Sequence, residues 1–192
     1  MPADEKAVYL TFDDGCVPEV TPYVLDILSN YGIRATFFCV GDNIRKYPEL
    51  FKRIISEGHS PGNHTFHHTA GLRVGLDNYL RDVALADEQI EKNLLVDIPN
   101  PYLFRPPYGR FSFKQKRALS RTHKIFLWDV LTHDYNPRYS SDKIISIVKT
   151  YTRNGSIIVF HDSVKAKKQM LPALPKVIEY LQHEGYEFKT LN

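Results

Sequence analysis

Two histidines four residues apart, His64 and His68, and two adjacent carboxylates, Asp13 and Asp14, have types and spacing that suit metal chemistry. Imidazoles at i and i+4 of a helix share one face and can hold one ion between them. Two neutral imidazoles with one carboxylate leave positions open for water and substrate, as catalytic sites require. Adjacent side chains at a strand end point different ways, so one carboxylate can ligate while the other faces the bound water. The same letters have plainer uses. A His pair at this spacing often holds no metal, and Asp-Asp-Gly is ordinary turn chemistry. His67, between the two histidines, points elsewhere on a helix and reads as a surface or hydrogen-bonding residue. His59, His123 and His183 have no partner that spacing identifies, and His133, beside Asp134, fits either role.

Two further segments carry chemistry. Phe104-Arg105-Pro106-Pro107-Tyr108-Gly109 is stiffened by two prolines and released by one glycine. It can fix Arg105 and aim a backbone N–H, such as that of Tyr108, at a developing oxyanion, or it can be a structural loop. Gly155-Ser-Ile-Ile-Val-Phe-His161-Asp162 is an apolar run ending in an ionisable pair. A histidine there can serve as an acid near neutral pH, or simply cap the strand.

The elements that would position these groups alternate. Short apolar runs at Ala7–Phe12, Ala35–Val40, His59–Asn63, Leu103–Arg105, Ile125–Trp128, Ser156–Phe160 and Tyr186–Leu191 read as strands. Helix-like segments at Val20–Tyr31, Pro48–Glu57, Asn78–Leu94, Ser112–Arg121, Asp142–Thr152 and Ala173–Glu184 separate them. In the second, Leu50, Phe51, Ile54 and Ile55 form one apolar stripe. Gly32, Gly58 and Gly155 stand as stops. Strands alternating with helices predict βαβ units and a parallel sheet. Seven strands and six helices predict a closed or nearly closed barrel, with an open doubly wound sheet as the alternative. The reactive groups Asp13, Asp14, His64, His68, Arg105, Asp129, Asp134, His161 and Asp162 then follow successive strands. Parallel barrels build their sites at the carboxyl ends of strands, so one mouth gathers them.

Composition narrows the class. The 192 residues suit one domain, 1–192, with 43% hydrophobic and 24% charged residues. A net charge of +3, with scattered basic residues, gives no case for nucleic acid. The densest basic run, Lys165–Lys168, is broken by Ala166 and reads as a solvated loop. Two cysteines make no disulfide framework. Cys39 reads as a buried small hydrophobe, and Cys16, after Asp-Asp-Gly, as a thiol near a site. No apolar stretch approaches the roughly 20 residues of a membrane span. The first residues lack a signal-peptide core. That start fits a cytoplasmic chain, or an extracytoplasmic one trimmed of an N-terminal anchor.

These motifs resemble those of NodB-type polysaccharide deacetylases, carbohydrate esterase family four. Thr11-Phe12-Asp13-Asp14-Gly15 is similar to the first motif, Gly62-Asn63-His64-Thr65 through His68 to the second, Arg105 to Gly109 to the third, and the strand ending at His161-Asp162 to the fifth. The likeness runs from Val8 to about Leu191. It implies a distorted (β/α) barrel of fewer than eight repeats, and a zinc, cobalt or nickel ion on Asp14, His64 and His68. It also implies Asp13 as general base, His161 as general acid, Arg105 orienting Asp13, Asp134 from the fourth motif pairing with His161, and the Tyr108 N–H in the oxyanion hole. The implied substrate is an acetylated polysaccharide such as peptidoglycan or a chitin-like polymer, losing acetyl from nitrogen. Removal of O-acetyl groups from xylan, or carbohydrate binding without turnover, are the alternatives. Trp128, Tyr108 and Tyr135 are expected against sugar rings, with Trp128 equally suited to the core. The chain departs from the pattern at Cys16, where proline is usual, at Tyr135, where tryptophan is usual, and at Val159, in place of the leucine that lines the acetyl pocket.

Overall fold

A computed structural model describes residues 6–94 and 102–192. Strand β1 (Ala7–Asp13) is buried at all seven positions, which matches a near-continuous apolar run flanked by strands on both sides. It pairs in parallel with β2 (Thr36–Cys39), β7 (Ile157–His161) and β8 (Glu187–Phe188). Strands β3 (Ser60–Asn63), β4 (Tyr102–Phe104) and β5 (His123–Ile125) extend the sheet beyond β2, and β6 (Val130–Leu131) extends it beyond β7. The order is β5-β4-β3-β2-β1-β7-β6, with β8 on β1 and every pairing parallel. Helices α1 (Thr21–Asn30), α2 (Gly41–Lys46), α3 (Pro48–Ser56), α4 (Leu76–Asn93), α5 (Phe113–Leu119), α6 (Ser141–Tyr151) and α7 (Lys167–His183) make the crossovers. Leu10, Phe12, Phe37 and Phe160 of the sheet meet Leu25, Leu28, Ile54, Leu174 and Ile178 of the helices in one buried cluster. The Phe12 ring stacks on Phe37 at 5.0 Å and on Phe160 at 5.9 Å.

The sheet curls like a barrel of seven strands but does not close. Strands β5 and β6 are consecutive in sequence and lie at opposite ends of the hydrogen-bonded path. The strand expected at Ile125–Trp128 is therefore split: its first residue finishes β5, and β6 begins beyond it, at Val130. Among the described residues the carbonyls of Phe126 and Leu127 take no sheet partner. They accept hydrogen bonds from Arg105 Nε at 3.3 Å and Nη2 at 3.0 Å, so a side chain does at this seam what a strand would do elsewhere.

Other differences have local causes. The last helix begins at Lys167, not Ala173, and runs through Pro172 and Pro175. Proline argues against a helix interior, but Met170, Leu174, Val177 and Leu181 bury one face and hold this one. Helix α2, with six residues, is too short for periodicity to reveal. Among the described residues no helix is long and apolar enough to cross a membrane.

Candidate active site

The carboxyl ends of β1, β3, β4 and β7 open onto a cavity of about 890 Å³ whose lining includes Asp13, Asp14, His64, His68, Tyr108 and His161. Asp13 is the last residue of β1 and His161 the last of β7, and the two are register partners. Asp14 leaves the strand with φ +81°, which swings its side chain away from that of Asp13.

The two histidines are not on a helix. They lie in the loop after β3, where Thr65 and His68 both have left-handed backbone, φ +61° and +55°. Side chains shape this loop. Asn63 Oδ1 accepts from the Thr65 amide at 2.7 Å, and Thr65 Oγ1 accepts from the Thr69 amide at 2.9 Å. Asn63 is itself held by Asp87 on α4, which also meets His123 Nε2 at 3.1 Å. Asp82, likewise on α4, takes His67 Nδ1 at 2.6 Å. His67 thus turns outward with an exposed ring, and His123 gains a partner that spacing did not reveal. His59 gains one too, accepting from the Ala35 amide at 3.1 Å, and His183 meets Glu184 at 3.7 Å.

The ligand geometry follows. His64 Nδ1 lies 2.7 Å from the Arg105 carbonyl. A carbonyl only accepts, so Nδ1 carries the proton and Nε2 keeps its lone pair. That Nε2 is 3.8 Å from Asp14 Oδ1, and His68 Nε2 is 3.2 Å from the same oxygen. One donor atom each from Asp14, His64 and His68 lies within 4.8 Å of the others. Asp14 Oδ1 is buried and has no hydrogen-bond partner among the described residues. A buried carboxylate oxygen without a hydrogen bond, facing two imidazole nitrogens at 3.2 and 3.8 Å, fits a cation. Burial alone pushes the Asp14 carboxyl up, but contact with His68 and the fields of His161 and His64 outweigh it and bring the pKa down to about 2. Burial pushes His64 down to about 4 against the pull of Asp13. At neutral pH both groups are in the form that ligates.

Asp13 faces the opposite demands. Its Oδ1 accepts from Arg105 Nη1 at 2.8 Å, and its Oδ2 lies 4.0 Å from His64 Nε2. Arg105 is fully buried, and burial lowers its pKa while Asp13 pulls it back up. Its guanidinium also donates to Thr11 Oγ1 at 2.7 Å and lies 4.1 Å over the Phe38 ring. Every guanidinium nitrogen is engaged, so the arginine can orient the carboxylate without leaving it.

Across the cavity, Asp134 is buried and binds His161 twice. One oxygen accepts from the His161 amide at 2.8 Å, and the other meets Nδ1 at 2.7 Å. Burial disfavours the imidazolium, but Asp134, with added pull from Asp13 and Asp14, raises its pKa to about 9. His161 is therefore charged at neutral pH, with Nδ1 committed to Asp134.

The third motif forms a tight turn, Pro107–Gly109, with Tyr108 at φ +61°. Neither proline has an amide hydrogen, and the Gly109 and Arg110 amides donate back to Pro106 and Pro107. Tyr108 itself is exposed and sets its ring 4.8 Å from that of His68. A side chain at Gly109 would meet Trp128 at 2.6 Å, so the indole packs directly on this turn. Trp128 both lines the cavity and joins the cluster of Tyr9, Phe38 and Leu103. Tyr135 lines it too, its ring 4.9 Å from that of His161.

Three expected groups are placed elsewhere. Val159 is fully buried within β7, and Leu131, its register partner on β6, lines the cavity instead. Asp129 sits at the other end of the sheet, where its Oδ2 accepts from the Ile157 amide at 3.0 Å. Asp162 is fully buried outside the cavity lining and accepts from Thr21 Oγ1 at 2.6 Å. Cys16 is buried with its sulfur 3.8 Å from that of Cys39, both thiols free. The signal that sequence reasoning could not see is backbone strain. Among the described residues the non-glycine positions with positive φ are Asp14, Thr65, His68, Tyr108 and His133. All lie in or next to the site residues, as strained backbone tends to.

Known proteins resemble this chain in sequence and fold. The polysaccharide deacetylase family model matches residues 1–124. A peptidoglycan-N-acetylglucosamine deacetylase of Bacillus cereus is 33% identical over 100% of this chain and 89% of its own length. A chitooligosaccharide deacetylase of a Bradyrhizobium strain is 32% identical over 97% of this chain and 89% of its own. A crystal structure of a peptidoglycan N-acetylglucosamine deacetylase superposes with a TM-score of 0.92 at 34% identity, covering 99% of this chain and 88% of that one.

Proposed function

We propose, given that this chain belongs to the polysaccharide deacetylase family, that it hydrolyses the acetamido group of N-acetylated sugars in a polymer of the peptidoglycan kind. The products are acetate and a free amine. The observation that carries this reading is one cavity flanked by a buried carboxylate oxygen facing two imidazole nitrogens and, across from it, an imidazolium held by Asp134. Amide hydrolysis needs both: charge stabilisation at the carbonyl and a proton for a poor leaving group.

Asp14, His64 and His68 would hold a divalent ion, with zinc the best match to two nitrogens and one oxygen and cobalt or nickel also suited. Such an ion supplies positive charge at the acetyl carbonyl and acidifies a water beside it. Asp13 accepts the proton of the attacking water through Oδ2, while Arg105 keeps Oδ1 occupied and the carboxylate in place. The Tyr108 amide donates to the oxyanion as it forms. His161 delivers its Nε2 proton to the departing nitrogen, and Asp134 holds the ring in the orientation and tautomer that allow it. Trp128, Tyr108, Tyr135 and Leu131 offer apolar surface to the sugar and its acetyl methyl.

The test is acetate release from peptidoglycan fragments, acetylated chito-oligosaccharide and acetylated xylan, with and without added divalent ion and with a chelator as control. Release from the N-acetylated substrates that the chelator stops is expected. Release from xylan alone, or release indifferent to the chelator, would overturn the reading.

A further inference from the structure

The cations of the cleft are unevenly committed. Arg105 is spent on Asp13, Thr11 and two carbonyls. Lys165, from the run expected to be a solvated loop, stands 5.5 Å over the Tyr135 ring. Arg73 and Arg110 also line the cavity, are exposed, and have no carboxylate or ring partner among the described residues. Among the described residues, the carboxylates lining it are Asp13, held by Arg105, and Asp14, beside the two ligand histidines.

These arginines are built into one wall. Arg73 ends a short turn, Gly71–Arg73, in the loop after β3, and Arg110 follows the Pro107–Gly109 turn after β4. Gln115, buried at 1% exposure, joins the two segments. Its Nε2 donates to the Gly71 and Val74 carbonyls, on either side of Arg73, at 2.8 and 3.3 Å. Its Oε1 accepts from the Ser112 amide at 2.7 Å. A side chain at Gly71 would come within 3.1 Å of the Arg110 carbonyl, so the two segments run too close for one. Next to Arg73, Leu72 is 62% exposed and lines the same cavity, so the wall sets apolar area beside positive charge. An acidic sugar strand offers the matching pair: apolar ring faces and a carboxylate.

We infer that Arg73 and Arg110 bind a carboxylate carried by the glycan, so the cleft prefers an acidic acetylated strand to a neutral one. This rests on the N-deacetylase reading and narrows its substrate class. It also addresses a point that identity leaves open, since the peptidoglycan and chitooligosaccharide relatives are 33% and 32% identical to this chain.

The test is calorimetric titration of the purified protein with N-acetylglucosaminyl-N-acetylmuramic acid, its lactyl methyl ester, and the same sugar amide-linked to alanine with a free alanyl carboxylate. The wild type should bind an acid about tenfold more tightly than the ester, the scale of a charge-assisted contact. The preference should shrink as salt rises, and Arg73→Gln/Arg110→Gln should abolish it. Preference for the lactyl acid, the alanyl acid or both supports the proposal and reports where the charge is read. Equal binding of acids and ester by the wild type, or a preference that survives in a double variant whose thermal unfolding matches wild type, overturns it. Acetate release by the wild type from the same compounds separates the two ideas. Preference without release sinks the deacetylase reading and leaves the arginine site standing. Release without preference sinks the arginine site alone.

Discussion

His64 and His161 are both largely withdrawn from water at the rim of one cavity, yet they are driven to opposite charge states. His64 places Nδ1 against a backbone carbonyl, and burial takes its pKa to about 4. His161 places Nδ1 against a buried carboxylate, and its pKa rises to about 9. Burial pushes both down; a carbonyl and carboxylates at 3.8 and 4.0 Å do not reverse that for His64, whereas a hydrogen-bonded carboxylate at 2.7 Å does for His161. A neutral imidazole keeps a lone pair for a ligand role, and an imidazolium keeps a proton to give. The identity of the hydrogen-bond acceptor behind each ring therefore divides the site into a ligand side and an acid side.

The largest effects come from the groups that face both sides. Asp13→Asn removes the proposed proton acceptor between them, and turnover should fall by about two to four orders of magnitude with the divalent ion still bound. Near-wild-type turnover in a folded variant would reject Asp13 as base. His64→Ala should lose stoichiometric zinc as well as activity, which metal analysis after dialysis reads directly; retention of one tightly held zinc would break the assignment of that side.

Asp134→Asn tests the acid side. Without the carboxylate, His161 should titrate below its ordinary value by NMR, and turnover at pH 7 should drop by roughly ten- to a hundredfold as the imidazolium population vanishes. A His161 resonance that still titrates near 9 would show that Asp134 is not the cause.

The pH profile follows in sign. The folded His161 binds its proton more tightly than the unfolded one, whose pKa is near 6.5. Its contribution to stability is thus complete below about 6.5 and lost as pH rises through about 9. Denaturant unfolding at pH 6 and pH 10 should show a larger loss for wild type than for His161→Gln; equal losses would contradict the raised pKa. Turnover should decline over the same alkaline range.

The smallest effect belongs to the histidine between the two ligands. His67 is bound to Asp82, its side chain 63% exposed and outside the cavity lining. His67→Gln should change turnover by less than about twofold and stability by less than about 1 kcal/mol. A loss comparable to that of His64→Ala would place it in the ligand loop's working set.

Much of this was legible in residue order. The β1 run ending in Asp13-Asp14, the third strand followed by His64 and the apolar run ending in His161 appear where patterning put them, because a buried parallel strand must be apolar and its carboxyl end must be a loop. The helix expected under His64 and His68 is absent, because i and i+4 spacing is also produced by a loop whose left-handed residues curl it back. That curl is tied down by Asn63, by Asp87 behind it and by Asp82, which accepts from the His67 amide at 3.3 Å, the latter two on α4 and far along the chain. The open seam between β5 and β6 was hidden for the same kind of reason: its carbonyls are satisfied by a side chain from the end of β4. Val159 and Leu131 are register partners on one face of the sheet, and position across the sheet decides that Leu131 on the outer strand β6 reaches the cavity while Val159 is fully covered.

Residue order by itself determined which chemical groups are present and that they follow strand ends, since both depend on side-chain type and local periodicity. Tertiary structure alone decided their charge, their tautomers and which pairs meet. Those properties depend on burial and on acceptors supplied by distant segments, a carbonyl of Arg105 for His64 and the carboxylate of Asp134 for His161. Two histidines that are the same letter in the chain become a ligand and an acid only when the fold chooses what stands behind each ring.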